Sequence, residues 1–395
     1  MQPLNNNHNK KEYNFLDDTL FSNGNNSEIC NDEIKKINEL AKNLFNTQIT
    51  KNYLDKKRII DEISIISEYV FDKLYALDEN KYYKLFVEEI KKKYLLILND
   101  LKVFFSKNNL KKNQNKKIPL ETDGYYFDVL SEKTLINILK ITEKFIPIFE
   151  KNIKNKKTSR EDLSINTGRE IRKIIKLINK EFYLKGINQD VSNYMKTNYE
   201  IIGCALEMST EHSNWWRWDK SENCSQHTIY AHVDQSLLCP KSICYLTDVN
   251  DNTGPTIFYP SLYEDLKLNF MQSLFGRILS SIGKDNKSKL YEFYNHSSNR
   301  VYDCTQLFNH INSLPKNLKF ESHIGWYIKN NSVLEKKFID NQIVMKGDKG
   351  KFVVFDGSKT FHRGGNVKEG DRLALQLIFG RKSNLIKKIY SKFFN

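Results

Sequence analysis

Near residue 195 the chain changes texture, and that change limits the folds open to it more than any other feature. Before it lie long stretches with apolar residues at three- and four-residue spacing, the mark of amphipathic helices. After it come short runs rich in β-branched and aromatic residues: Tyr199–Met208, Thr228–Val233, Ser242–Val249, Thr256–Tyr259, Gly325–Ile328, Phe352–Phe355 and Leu373–Phe379. Gly, Asn, Asp and Pro separate them, which punctuates a series of strands. Many short strands joined by such turns predict an antiparallel sandwich or jelly roll. Helices first and strands later make this an α+β chain.

In the first half, residues 56–77 set Ile60, Ile63, Ile66, Tyr69 and Val70 on one face of a helix, and residues 80–105 repeat the pattern. Ser131 is placed to cap a helix over 131–149, since a serine oxygen can accept from the free amides of the first turn. A further helix is expected over 167–185. The charged, Asn-rich stretches 107–117 and 151–160 read as breaks. Residues 1–28 are Asn-rich with few apolar positions and are expected to be disordered. The resulting division is a helical region over 29–194, a strand-rich domain over 195–380 with an insertion at about 262–324, and a basic tail over 381–395. Within the insertion, 262–284 is expected to form an amphipathic helix and 285–323 to be irregular.

Lys and Arg number 62 against 48 Asp and Glu, a formal net charge of +14. The lysines are spread along the chain among Asn and Ile and are not gathered into a stripe. A small-molecule substrate is therefore a stronger expectation than nucleic acid. Six cysteines without a CxxC pair in 395 residues make no disulfide framework. The polar N-terminus lacks the apolar stretch of a signal peptide, and no run approaches the roughly 18 apolar residues of a transmembrane helix. A cytoplasmic protein without a transmembrane segment is expected.

The segment QHTIYAHVDQ (226–235) ends an expected strand in His-x-Asp. Alternate strand residues share a face, so His232 and Asp234 project together. An imidazole and a carboxylate so placed are two of the three ligands of a facial metal triad. A strand-end histidine paired with a neighbouring carboxylate is the plainer alternative. Downstream, KGKFVVFDGSKTFHRGGNVKEGDRLALQLIFG (349–380) holds His362, which can complete the triad. Arg372 opens the next apolar strand, and a guanidinium fork suits a carboxylate. A rim salt bridge to Asp371 or Glu369 is the alternative for Arg372.

With these blocks in view, the chain resembles the phytanoyl-CoA dioxygenase-like branch of the Fe(II)/2-oxoglutarate-dependent oxygenases. AHVDQ, the turn DNTGPTIFYPS (251–261) and GKFVVFDGSKTFHRGG…RLALQLIFG carry the resemblance, over roughly 195–260 and 345–380. The middle block departs from the family pattern, lacking its usual Gly and trailing His. The resemblance implies a double-stranded β-helix (jelly-roll, cupin-like) with helices packed outside. It implies Fe(II) held by His232, Asp234 and His362, and 2-oxoglutarate anchored by Arg372. It further implies dioxygen as the oxidant and hydroxylation of an unidentified small or medium organic substrate, with release of succinate and CO2. Asp234 disfavours halogenation, because related halogenases replace this carboxylate to admit a halide.

Other residues have two readings each. Trp215, Trp216 and Arg217 precede the His-x-Asp segment and either wall a substrate pocket or cap the barrel end. Gln226, Thr228 and Tyr230 share the alternation of His232, with Gln226 a candidate for the co-substrate and Tyr230 better read as core. His296, His310 and His323 lie in the insertion and read as surface or locally hydrogen-bonded residues. The basic tail suits a docked terminal helix or an anionic membrane surface. Action on a macromolecule, nucleic acid or protein, and a non-catalytic jelly-roll binding protein are the competing functions. The second leaves His232, Asp234, His362 and Arg372 in their family-like contexts without a reason.

Overall fold

The computed structural model describes residues 28–45, 53–106, 119–155, 163–211, 225–260, 262–282, 289–290, 305–326 and 328–381. The expected disordered N-terminus, apart from residue 28, and the basic tail beyond 381 lie outside this set, as does the 107–117 break.

The chain opens with helices α1 (Asn31–Phe45), α2 (Tyr53–Tyr75), α3 (Lys81–Phe105) and α4 (Pro119–Thr122). Strand β1 (Tyr125–Val129), helices α5 (Glu132–Thr142) and α6 (Ile146–Lys154), strand β2 (Ser164–Ile165) and helices α7 (Arg169–Leu184) and α8 (Ile187–Met195) follow. Strands β3 (Tyr199–Thr210), β4 (Lys241–Tyr245) and β5 (Thr256–Tyr259) come next. After them are helices α9 (Leu262–Asp265), α10 (Phe270–Leu279), α11 (Thr305–Asn312) and α12 (Val333–Asp340). Strands β6 (Ile343–Met345), β7 (Lys351–Phe355), β8 (Phe361–Arg363) and β9 (Asp371–Arg381) complete the described chain.

The helices form where the apolar spacing is helical, with adjustments that packing explains. On α2 the buried stripe is Ile60, Ile63, Ser67, Val70, Phe71 and Leu74, while Tyr69 is exposed and Ile66 half-buried. The stripe runs through a polar residue, so a reading by hydrophobicity alone drifts off it. Ser67 is satisfied there by Ile63 O and by the Tyr94 hydroxyl of α3, 2.9 Å away. Asn80 caps α3 by accepting from the amides of Tyr82 and Tyr83. Ser131 caps α5 through Thr134 N, and buried Glu181 accepts from both its amide and its hydroxyl. The helix expected over 131–149 is broken after Thr142, with a 3₁₀ turn and Pro147 at the start of α6.

All strand pairs are antiparallel. One sheet has the order β1-β7-β4-β9-β3-β2 and the other β6-β5-β8. The helical region thus supplies the two edge strands of the larger sheet, β1 and β2, which covers edges otherwise open to pairing. Alternation along each strand divides the core. Leu373, Leu375, Leu377 and Phe379 of β9 join Leu206, Phe352 and Val354 in a cluster with the helices. Ala374, Tyr245, Val353 and Phe355 face inward and meet Phe258 and Met345 of the smaller sheet. By the same alternation Arg372 and Gln376 lie on the inner face.

Other expected elements also differ. Residues 228–233 form no strand: a turn runs to Tyr230, whose φ of 67° is left-handed, and only His232 bridges to His362. The Val-Ile-Thr-rich composition suits a strand, but a left-handed residue breaks the alternation. The strand expected from Gly325 does not start there, because Ile324–Trp326 is a 3₁₀ turn packed against residues 228–231. The amphipathic helix over 262–284 is two helices, with left-handed Lys267 between them. The second, α10, is buried on nearly all sides, a core helix with no solvent face. The irregular stretch 285–323 contains α11.

Candidate metal centre

Two short pieces of backbone build the centre. Strand β8 carries His362, and its edge forms a two-way bridge with His232, each amide donating to the other's carbonyl at 3.0 and 2.9 Å. Asp234 follows, its amide donating to Gly357 O at 2.7 Å. Gly357 is required there, since a Cβ on it would overlap the Asp234 carboxylate. The Phe-Asp-Gly sequence before His362 therefore has a steric role at its glycine. Its Asp356 caps the turn through Ser358 N and accepts from the Tyr194 hydroxyl at 2.6 Å.

These contacts bring His232, Asp234 and His362 together, with one ligand atom from each lying within 4.8 Å of the others. The Nε2 atoms of His232 and His362 are 3.9 and 3.8 Å from Asp234 Oδ1. Each imidazole donates Nδ1–H to a backbone carbonyl, His232 to Tyr230 O at 2.8 Å and His362 to Thr360 O at 3.0 Å. Both Nε2 lone pairs are then free of protons and turned toward the carboxylate, the tautomer a metal ligand needs. Burial pushes both imidazoles below the usual histidine range, well below for His232. Burial opposes ionisation of Asp234, but His362 and Lys241 beside it hold the carboxyl well below the usual carboxylate range. Two neutral imidazoles and one carboxylate are thereby ready for a cation. Asp234 Oδ1 is the oxygen both Nε2 atoms face, while Oδ2 is buried and accepts no hydrogen bond, so the carboxylate is short of partners for its charge, a deficit that a cation at the centre would relieve. The donor set fits a divalent transition metal.

Residues far away in sequence hold the arm that carries His232 and Asp234. Arg363 Nη1 donates to Gln226 O at 3.1 Å, and the Tyr259 hydroxyl to His227 O at 2.7 Å. Buried Arg277 of α10 donates to the carbonyls of Asp234 and Ser358, joining both arms. The 322–328 segment pairs with the arm: Val233 N donates to Ser322 O, Gly325 N to Ala231 O, and Ser225 N to Ile328 O. The His323 ring stacks on His232 with centroids 4.9 Å apart and planes within 6°. His323 is locally hydrogen-bonded, as one of its two readings had it, with Ser322 Oγ 3.1 Å from Nδ1 and its amide donating to Glu321, and its stacking adds that the insertion folds back onto the centre. His310 packs beside Tyr83 and Phe86 of α3, and His296 lies outside the described residues. Spacing held no signal for Arg277 or His323, because tertiary contact alone recruits them. Arg363 stands in the His-Arg-Gly-Gly context, where a charge inside a buried strand was the available clue.

Arg372 lies buried on the inner face of β9, donating to Gly254 O and, at 3.1 Å, to Ser209 Oγ. Gly254 belongs to the 251–261 turn and has φ of 74°; a Cβ there would collide with Gly365 and Val367. The turn and the Gly-Gly segment after His362 therefore interlock beside Arg372. Gln226 is half-buried in the turn before His232 and ties its carbonyl to Arg363. Thr228 donates its hydroxyl to Gly325 O, and Tyr230 is buried. Trp215, Trp216 and Arg217 lie outside the described residues. Among the described residues, no helix is long and apolar enough to cross a membrane.

No protein-family model matches the chain, and no curated protein matches it. Solved structures do. EctD from S. alaskensis, crystallised with 2-oxoglutarate and 5-hydroxyectoine, is 10% identical over 69% of this chain and 80% of its own, with a TM-score of 0.38. The 2-oxoglutarate-dependent carbocyclase SnoK from nogalamycin biosynthesis is 11% identical over 68% and 85%, with a TM-score of 0.34. HygX from Streptomyces hygroscopicus, with nickel and 2-oxoglutarate bound, is 12% identical over 67% and 85%, also at 0.34. Overlap this loose carries no functional weight; the residues of the centre carry it.

Proposed function

We propose that this chain is a non-haem Fe(II)- and 2-oxoglutarate-dependent oxygenase that hydroxylates a small or medium organic molecule, releasing succinate and CO2. The observation that carries this reading is the convergence of two Nε2 atoms and a buried, partly unsatisfied carboxylate on one point. Two histidines and one carboxylate on one side of a metal leave the opposite positions open, the arrangement of Fe(II) oxygenases. The order of strands supports a double-stranded β-helix. From β3 onward the chain alternates between sheets except at β5 and β6, which follow one another in the smaller: β3, β4, β7 and β9 lie in the larger and the His232 bridge, β5, β6 and β8 in the smaller.

His232, Asp234 and His362 would hold the iron. When bound, iron with 2-oxoglutarate and dioxygen supplies the oxidising power for attack on an unactivated C–H bond. The protein's share is to orient and to exclude water. Arg372 would take the distal carboxylate of 2-oxoglutarate, its fork already desolvated and steadied by Ser209 and Gly254. Phe355 lies edge-on to His362 at 4.9 Å and, with Phe258, keeps the inner side of the centre apolar. Trp215, Trp216 and Arg217 would wall the substrate side, and Gln226 would stand near the co-substrate.

Anaerobic titration with Fe(II) and 2-oxoglutarate, followed by admission of air, tests the reading. A visible metal-to-ligand band and then succinate are expected. His362→Ala and Asp234→Ala should abolish the band, and Arg372→Ala should chiefly weaken 2-oxoglutarate binding. A wild-type chain that gives neither band nor succinate overturns it.

A further inference from the structure

One cation already stands at the centre. Lys241 opens β4 and shares its inner face with Ile243 and Tyr245, which pack between the sheets. Its Nζ lies 2.6 Å from Asp234 Oδ1, the oxygen that both Nε2 atoms face. The lysine side chain is 18% exposed and that of Asp234 11%, so the pair is largely withdrawn from water. The Lys241 backbone pairs with Ile378 of β9, six residues along the strand from Arg372. At about 3.3 Å per residue this puts the two cations near opposite ends of the inner face, on the order of 20 Å apart at the backbone. They do not form one carboxylate clamp.

A divalent ion held by Asp234 would repel the ammonium from the same oxygen, because like charges at contact distance are strongly unfavourable away from water. The charge balance then shifts. Without metal, the carboxylate and Lys241 cancel; with it, the centre carries a net charge of about +2 and Lys241 has lost its counter-ion. An anion is what restores the balance.

We propose that Lys241 is a displaceable cation: it holds Asp234 in place before metal arrives, then yields to the metal and binds a carboxylate of the incoming ligand. That carboxylate belongs either to the 2-oxoacid or to the organic substrate. The proposal rests on the metal and 2-oxoacid reading above.

Titration of the full chain with Mn(II), followed by the paramagnetic resonance of the free ion, gives a readout independent of turnover. Lys241→Met should bind Mn(II) about tenfold more tightly than wild type, since a competing cation is gone, whereas Lys241→Arg should stay near wild type. Lys241→Gln repeats the measurement should the Met variant fail to fold by circular dichroism. On Mn(II)-loaded protein, a fall of about tenfold in 2-oxoglutarate affinity in the neutral variant assigns the carboxylate to the co-substrate. Unchanged 2-oxoglutarate affinity with loss of acetate binding to the 2-oxoglutarate-saturated protein assigns it to the substrate. Mn(II) binding no tighter in either neutral variant, or both anions bound as in wild type, overturns the role of Lys241 alone. A wild-type chain that takes up no Mn(II) overturns the metal-centre reading beneath it.

Discussion

The two arms of the candidate centre are built differently. His362 sits on β8, a strand whose partner β5 lies in the same small sheet. The arm carrying His232 and Asp234 has one bridge to that sheet and is otherwise irregular. Backbone pairing sets the position of the first; the second depends on Arg363, Tyr259, Arg277 and the 322–328 segment. The difference teaches that the insertion is part of the site's scaffold. A strand-borne ligand tolerates changes elsewhere, whereas a ligand on a turn inherits the stability of whatever pins the turn.

The largest effect that would break this comparison comes from Gly325→Ala. The new methyl would overlap Thr228 O and crowd Ala231, pushing the 322–328 segment off the His232 arm. Overpacking of this kind costs about 1–3 kcal/mol, and the strain falls on the metal-binding turn. Thermal unfolding should show the loss, and Mn(II) affinity should fall by about tenfold or more. A variant that unfolds early but binds Mn(II) like wild type would show that the turn holds itself.

Arg277→Met should act more narrowly. It keeps most of the buried volume of α10 and removes the guanidinium that joins Asp234 O to Ser358 O. Two buried carbonyls then lose a charged donor, at a cost of about 1.5–3 kcal/mol for such a bond. Mn(II) affinity is expected to drop roughly tenfold, the usual range for loss of a group that orients a ligand. Wild-type affinity in this variant would return the orienting role to the sheet.

The same contrast explains what could be read in the sequence. Phe352–Phe355 and Leu373–Phe379 are apolar runs in a sheet covered on both faces, and β7 and β9 contain them. Ser131 and Asn80 cap helices by local chemistry, and Ser131 was visible as such. His232, Asp234 and His362 stood out because a triad needs only three residue types near strand ends. The 228–233 segment has strand composition, yet Tyr230 is left-handed because 322–328 and Arg363 hold the chain in a turn. Nothing local encodes that. Arg277, His323 and Lys241 are each single polar residues whose meaning comes from a partner far along the chain. The edge strand β1 lies in YYFDV within a helical stretch, and its pairing with β7 is equally remote.

The smallest expected effect tests how far the helical layer reaches toward the centre. Ser67 bonds the Tyr94 hydroxyl; Tyr94 and Phe71 lie against Phe275, and Phe275 is on α10 two residues before Arg277. A line of contacts therefore runs from the paired helices α2 and α3 to the carbonyl of Asp234. Ser67→Ala removes the hydroxyl's bonds to Ile63 O and Tyr94 and leaves a buried phenol without that partner, a loss of about 1 kcal/mol in urea unfolding. The Tyr94 ring keeps its place, because its contacts with Phe71 and Phe275 do not use the hydroxyl. Packing should absorb the change before it reaches Arg277, so Mn(II) affinity is expected to stay within about twofold of wild type. A larger shift would mean that the helical layer tunes the His232 arm through α10, and that the two arms differ in their reach across the molecule as well as in their construction.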